Sequence, residues 1–143
     1  GEASEILTTL VYTIPGMPLI YSGQEYDLNH RLKFFEKDSI PKIKGNTWNL
    51  LEKLGSLKNN TIALNGGKNA TNYERLQTEN ENVLTFKRGK ENDAVYFIGN
   101  LSNKTQTFTI DLKGSYLDLI KQENVVFDTK KITLKPWQYY LIK

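Results

Sequence analysis

The chain has no cysteine, a single histidine and a single methionine in 143 residues. Without thiols, neither a disulfide framework nor a thiolate zinc site can form. One imidazole does not build the usual zinc centre, so His30 reads as a loop residue, and no Ser-His-Asp arrangement surrounds it. No Asp-rich loop offers the oxygen cluster that calcium needs. Neither a metal nor a cofactor is expected. No apolar run approaches the length of a membrane span. Residues Gly1-Glu2-Ala3-Ser4-Glu5 have neither the basic start nor the apolar centre of a secretory leader, which leaves the compartment open. The formal net charge is only +3. It comes from scattered lysines, which argues against a nucleic-acid footprint.

What is present follows two periods. Ile6, Leu7, Leu10, Val11 and Ile14 recur at threes and fours, which predicts an amphipathic helix over 5–14. Glu2 and Glu5 lie where the helix dipole favours negative charge, and Pro15-Gly16 stops it. Met17–Tyr21 is a short apolar run bounded by turn residues, the pattern of a strand buried on both faces. A polar excursion from Ser22 to Gly45 follows. Asn46 or Thr47 could cap a second helix to about Lys58, with Leu50, Leu51, Leu54 and Leu57 inward. Helix, strand, loop and helix cannot close a sheet alone. The Asn-rich stretch Asn65–Asn72 reads as a loop or linker.

Beyond it the pattern becomes short strands: Val83–Arg88, Ala94–Asn100, Thr105–Leu112, Tyr116–Ile120, Val125–Phe127, Ile132–Leu134 and Trp137–Ile142. Turn signals between them fall at hairpin spacing, which predicts an antiparallel sandwich or small barrel. Helices should stay within the first sixty residues.

Pro15-Gly16-Met17-Pro18-Leu19-Ile20-Tyr21-Ser22-Gly23-Gln24-Glu25 resembles the last barrel strand of the α-amylase family, glycoside hydrolase family 13. The likeness continues through Arg31–Asp38, Leu57-Lys58, Ala63-Leu64, the Val83–Arg88 and Ala94–Ser102 hairpin, and Leu134-Lys135-Pro136-Trp137. It implies a mainly β chain, an antiparallel β-sandwich of the α-amylase C-terminal type preceded by a βα fragment of a TIM barrel. Residues 1–62 would be the end of the (β/α)8 barrel and 63–143 the sandwich. The parent would hydrolyse α-glucosidic bonds with retention, and the missing catalytic barrel would be the partner of this chain.

Retaining hydrolysis needs two carboxylates about 5–5.5 Å apart. The resemblance puts these on upstream barrel strands, so the chain alone is expected to be inactive, with no catalytic residue of its own. The pairs Glu25/Asp27 and Glu36/Asp38 share a face on an extended backbone, which is adjacency rather than a site. Glu25 and Gln24 follow the barrel strand on the face where such barrels work. Each either steadies the active-site rim or closes a turn. Arg31 either reaches a sugar or neighbouring carboxylate, or lies on the surface.

Tyr116, Trp137, Tyr139 and Tyr140 could form a sugar-stacking platform. Strand alternation instead puts Trp137 and Tyr139 on one face and Tyr140 on the other, as core. A carbohydrate-binding β-domain and a purely structural domain therefore stand as alternatives, and any α-glucan binding should be weak. Of Phe34 and Phe35, opposed if extended, one should be buried. The bared barrel face should dock on the sandwich or drive self-association. Asn-x-Ser/Thr matches at Asn59, Asn69, Asn100 and Asn103 fit chance in an Asn-rich chain. Its Lys, Asn and Ile content looks bacterial, where they carry no glycan.

Overall fold

A computed structural model describes residues 1–143. Helix α1 spans Glu2–Thr13 and α2 spans Asn46–Asn60. Eight strands follow: β1 Tyr73–Arg75, β2 Val83–Arg88, β3 Val95–Asn100, β4 Gln106–Thr109, β5 Gly114–Asp118, β6 Glu123–Phe127, β7 Lys131–Leu134 and β8 Tyr139–Ile142. Six form one antiparallel sheet in the order β1-β2-β3-β8-β5-β6, and β4 pairs with β7 in a second sheet. No helix follows α2 except short 3₁₀ turns.

The central strands are apolar almost without interruption because both faces of the large sheet are covered. Along β3, Tyr96 and Ile98 point toward the β4–β7 sheet, into a core with Val83, Phe108, Leu134 and Ile142. Val95 and Phe97 point the other way, into a core with Ile6, Leu64, Phe86 and Leu141. The register matches these layers, Phe97 opposite Leu141 and Ile98 opposite Tyr140. A sheet covered on one side only would show polar alternation; this one is a middle layer. Gly99 marks where α1 comes closest. A Cβ there would lie 2.7 Å from the Phe97 ring and 3.0 Å from the Ile6 methyl.

Two cations tie α1 to the rest. Helix α1 has no basic residue in its last turn, where the dipole favours positive charge. Arg88, fully buried in β2, supplies it by donating to the Thr13 carbonyl at 2.8 Å. The same guanidinium donates to Asn65 and Asn72 carbonyls, so it also pins the linker. Lys58 of α2 donates to the Leu64 carbonyl at 2.9 Å and to Tyr12 at 3.5 Å. Burial lowers the Lys58 pKa, and the nearby Arg88 charge adds to that.

Several expectations are corrected. Met17–Tyr21 forms no strand; Met17 and Leu19 are 94% and 85% exposed. A strand buried on both faces needs neighbours to pair with, and nothing in this chain supplies them. Helix α2 begins at Asn46 without a side-chain cap, because the capping position is Gly45; Thr47 lies inside the helix and its hydroxyl donates to Asp27. Leu50 and Leu57 are only half-buried, whereas Leu51 and Leu54 are buried. Phe34 and Phe35 are both exposed, since their loop does not lie against either layer. Strand β1 is additional. All three of its residues face solvent, so it has no hydrophobic period. Asn100 is fully buried, donates to Lys104 and Lys135 carbonyls, and accepts from Ser102; it is a staple between strand ends, closed to any glycan.

Candidate functional site

The residues after the Met17–Tyr21 run fold into a compact turn. Gly23, at φ 93°, starts the 3₁₀ turn Gln24–Tyr26. A side chain at Gly23 is blocked twice, by the left-handed φ and by Leu28, whose Cδ2 would lie 2.7 Å from a Cβ. The Glu25 carboxylate accepts the Gly23 N–H at 2.9 Å. The Gln24 side-chain oxygen accepts the Tyr21 N–H at 3.3 Å. Asp27 turns through left-handed backbone and accepts from the Thr47 hydroxyl, which anchors the turn to the start of α2.

This turn and the following loop enclose a cleft. Tyr21, Gln24, Asp27, Asn29, His30 and Arg31 line it, with Ser4 and Thr47 at its base. Gln24 and Arg31, singled out in the sequence, thus meet here. Glu25 instead lines a neighbouring hollow with Ile20, Trp48 and Leu51. The cleft wall is hydroxyl, amide, imidazole and guanidinium, a donor and acceptor set suited to a polyhydroxylated ligand.

The loop beyond the cleft closes on itself. The Asp38 carboxylate accepts from the backbone N–H of Lys33 at 3.1 Å and of Ser39 at 2.8 Å. His30 lies 3.8 Å from it. These hydrogen bonds, then the His30 and Lys33 charges, hold the Asp38 carboxyl below the usual carboxylate range. Lys33 pairs with Glu36 at 3.0 Å, and the Arg31 guanidinium sits 4.8 Å from the Phe34 ring centre. Each member of the Glu25/Asp27 and Glu36/Asp38 pairs therefore holds a donor of its own. No group of three or more His, Asp or Glu side chains is arranged to hold a metal ion.

The four sandwich aromatics do not share one exposed face. Tyr116 and Tyr140 pack on the inter-sheet core around Phe127, with ring centres 6.0 and 5.5 Å from it. Trp137 and Tyr139 pack on the opposite, helix-facing core. The Tyr139 hydroxyl accepts from Thr9 at 3.0 Å and donates to Glu5 at 3.1 Å. Burial above all raises its pKa well beyond the usual phenol.

Sequence reasoning missed Tyr26 and Trp48. Their rings stack 5.3 Å apart, with the Lys44 ammonium 4.2 Å from the indole centre. Twenty-two positions separate them, so no local pattern could announce the pair.

Residues 73–141 match the family model of the maltogenic amylase C-terminal domain. Over this region the chain resembles the α-amylase family. Among curated members, it is 22% identical to alpha-amylase 3 of Dictyoglomus thermophilum, over 99% of this chain and 34% of that protein. It is 25% identical to the alpha-amylase MalA of Haloarcula japonica, over 85% of this chain and 18% of that one. The fold matches the noncanonic maltogenic α-amylase AmyB of Thermotoga neapolitana with a TM-score of 0.83 at 18% identity, over 99% of this chain and 36% of AmyB. The chain thus spans about a third or less of the family members it matches. In the curated ones the match falls in the C-terminal part. The family and the mainly antiparallel fold expected from the sequence are both borne out.

Proposed function

We propose that this chain is the non-catalytic C-terminal part of an α-amylase-like glycoside hydrolase acting on α-glucans. Residues 1–62 complete the catalytic barrel, and residues 63–143 form the sandwich that braces it. One observation carries this reading: large exposed apolar side chains concentrate in the first sixty-two residues. Met17, Leu19, Ile43 and Ile62 lie there, all well over half exposed, while the sandwich core is closed. Burying each such side chain is worth about 1.5–3 kcal/mol. A barrel supplying the strands on either side of Met17–Tyr21 would gain that energy and pair the bare backbone. Its occupancy of this face is the partnership proposed.

The chemistry then resides in the barrel portion. Retaining hydrolysis needs a carboxylate nucleophile facing a carboxylic acid across the glycosidic bond. Glu25, Asp27, Glu36 and Asp38 are each committed to a local donor. Their work is to hold turns at the barrel rim. The geometry favours the bracing role over a separate sugar-binding module, because Trp137 and Tyr139 are packed toward α1 and Tyr116 and Tyr140 toward the second sheet.

The test is reconstitution. Purified residues 1–143 should release no reducing sugar from soluble starch or maltotriose above a buffer control. Co-expression with the rest of the enzyme should restore turnover. Steady hydrolysis by the chain alone, lost on Glu25→Gln, would overturn the proposal.

A further inference from the structure

Phe34 and Phe35 occupy the tip of the loop clasped by Asp38, 64% and 100% exposed. Two features separate this tip from the apolar surface at Met17–Ile20. First, five of the eight residues from Arg31 to Asp38 are charged, whereas Met17–Ile20 carries no charge at all. A dry protein interface would strand Lys37 and the Lys33–Glu36 pair away from water, a desolvation cost that the pair's own attraction does not repay; an open, wet binding face imposes no such cost. Second, the tip is held rather than loose. Asp38 ties both ends of the turn through Lys33 and Ser39 N–H groups, and Arg31 lies over the Phe34 ring. Holding the backbone that carries an exposed aromatic pair lowers the entropy lost when a ligand lands on it.

We infer that Phe35, with Phe34 beside it, is a stacking contact for an α-glucan chain entering the cleft of Tyr21, Gln24 and Arg31. The inference rests on the proposed function, which makes Met17–Tyr21 a barrel strand and the loop after it part of the working face. A glucose ring presents apolar C–H faces and a hydroxyl edge. The C–H faces match a phenyl ring, and the hydroxyls match the amide and guanidinium of the adjoining cleft. The loop thus extends the substrate path outward from the reacting bond, and its effect should grow with chain length.

The experiment compares the whole enzyme with its Phe35→Ala, Phe35→Trp and Asp38→Asn variants. The substrates are maltoheptaose, which is long enough to reach the tip, and p-nitrophenyl α-glucoside, which is not. Phe35→Ala should raise KM for maltoheptaose about tenfold, the loss of roughly half a buried phenyl. It should leave the short substrate and the melting temperature unchanged, since Phe35 touches nothing in the chain. Phe35→Trp should keep or improve affinity, and Asp38→Asn should give an intermediate loss. Unchanged maltoheptaose kinetics in Phe35→Ala would overturn the inference while leaving the proposed function intact. A lowered melting temperature with equal loss on both substrates would also overturn it, by making the ring an internal packing contact. Absence of α-glucan turnover in the unaltered enzyme would refute the proposed function and this inference with it.

Discussion

The Arg88 guanidinium donates to the Thr13 carbonyl at 2.8 Å, joining residues 75 positions apart. It has no carboxylate partner. Its charge is offset by the negative end of α1 and by the carbonyls of Asn65 and Asn72, an arrangement that the planar, multiply donating Arg head satisfies and an ammonium does not. Burial lowers the Arg88 pKa. One side chain thereby fixes the helix end, the linker and the sheet relative to one another.

Arg88→Ala should therefore lower stability by about 3–5 kcal/mol, since it leaves several buried carbonyls without donors. Arg88→Lys should recover only part of this. Urea midpoints at a common slope measure both. A loss under about 1 kcal/mol for the alanine variant would show that water replaces the guanidinium.

Helix α1 rests on the sheet through Ile6, which is fully buried. Ile6→Ala should cost about 2–5 kcal/mol, and Gly99→Ala about 1–3 kcal/mol by overpacking. Together they should cost less than their sum, because the smaller residue at 6 makes room for the new methyl at 99. Strict additivity would place the strain of Gly99→Ala against Phe97 alone. Amide exchange should show α1 opening in Ile6→Ala while β2 and β3 stay protected.

Tyr139 should ionise after Tyr12 and Tyr116, whose pKa values burial also raises. Its pKa is raised, by burial first and then by Glu5. A raised folded value means its contribution is full below the ordinary value of 10.0. Above that pH the unfolded chain loses the proton while the folded chain keeps it, so stability falls as pH rises. Phenolate absorbance should show a last-titrating group that is absent in Tyr139→Phe. The Phe variant should lose about 1 kcal/mol at neutral pH from the hydrogen bonds to Thr9 and Glu5, and show a shallower alkaline decline.

Much of this fold is legible in the sequence. The three-four period of Ile6, Leu10 and Ile14 locates α1, and the shift to short strands after the Asn-rich stretch locates the sandwich. The continuous apolar character of Val95–Ile98 reports a sheet covered on both faces, and that is where α1 sits. Strand β1 is not legible, because Tyr73, Glu74 and Arg75 are all exposed. Met17–Tyr21 has the composition of a buried strand, but pairing is a property of neighbours, and composition cannot supply them. At the cleft, the turn residues Gly23, Gln24 and Glu25 stand out by type. The meeting of Tyr26 with Trp48, and of Asp27 with Thr47, depends on how the loop returns to α2. Arg88 looks like any charged strand end; only the tertiary structure makes it a helix cap.

The clasp of the Phe34–Phe35 loop should open in acid before the sandwich does. Asp38 accepts from Lys33 and Ser39 N–H groups only as a carboxylate, and these bonds hold its pKa below the ordinary 3.8. A depressed carboxyl contributes order that is fully present above the unfolded value and disappears as pH falls through the folded one. The amides of Lys33 and Ser39 should thus lose exchange protection below about pH 3.8, while β2, β3 and β8, which depend on no such carboxylate, remain protected. Asp38→Asn should show the open loop at neutral pH, because an amide presents one acceptor oxygen and no charge to two donors and to His30. Protection at Lys33 that is independent of pH, or unaffected by Asp38→Asn, would mean that the backbone holds the loop without the clasp.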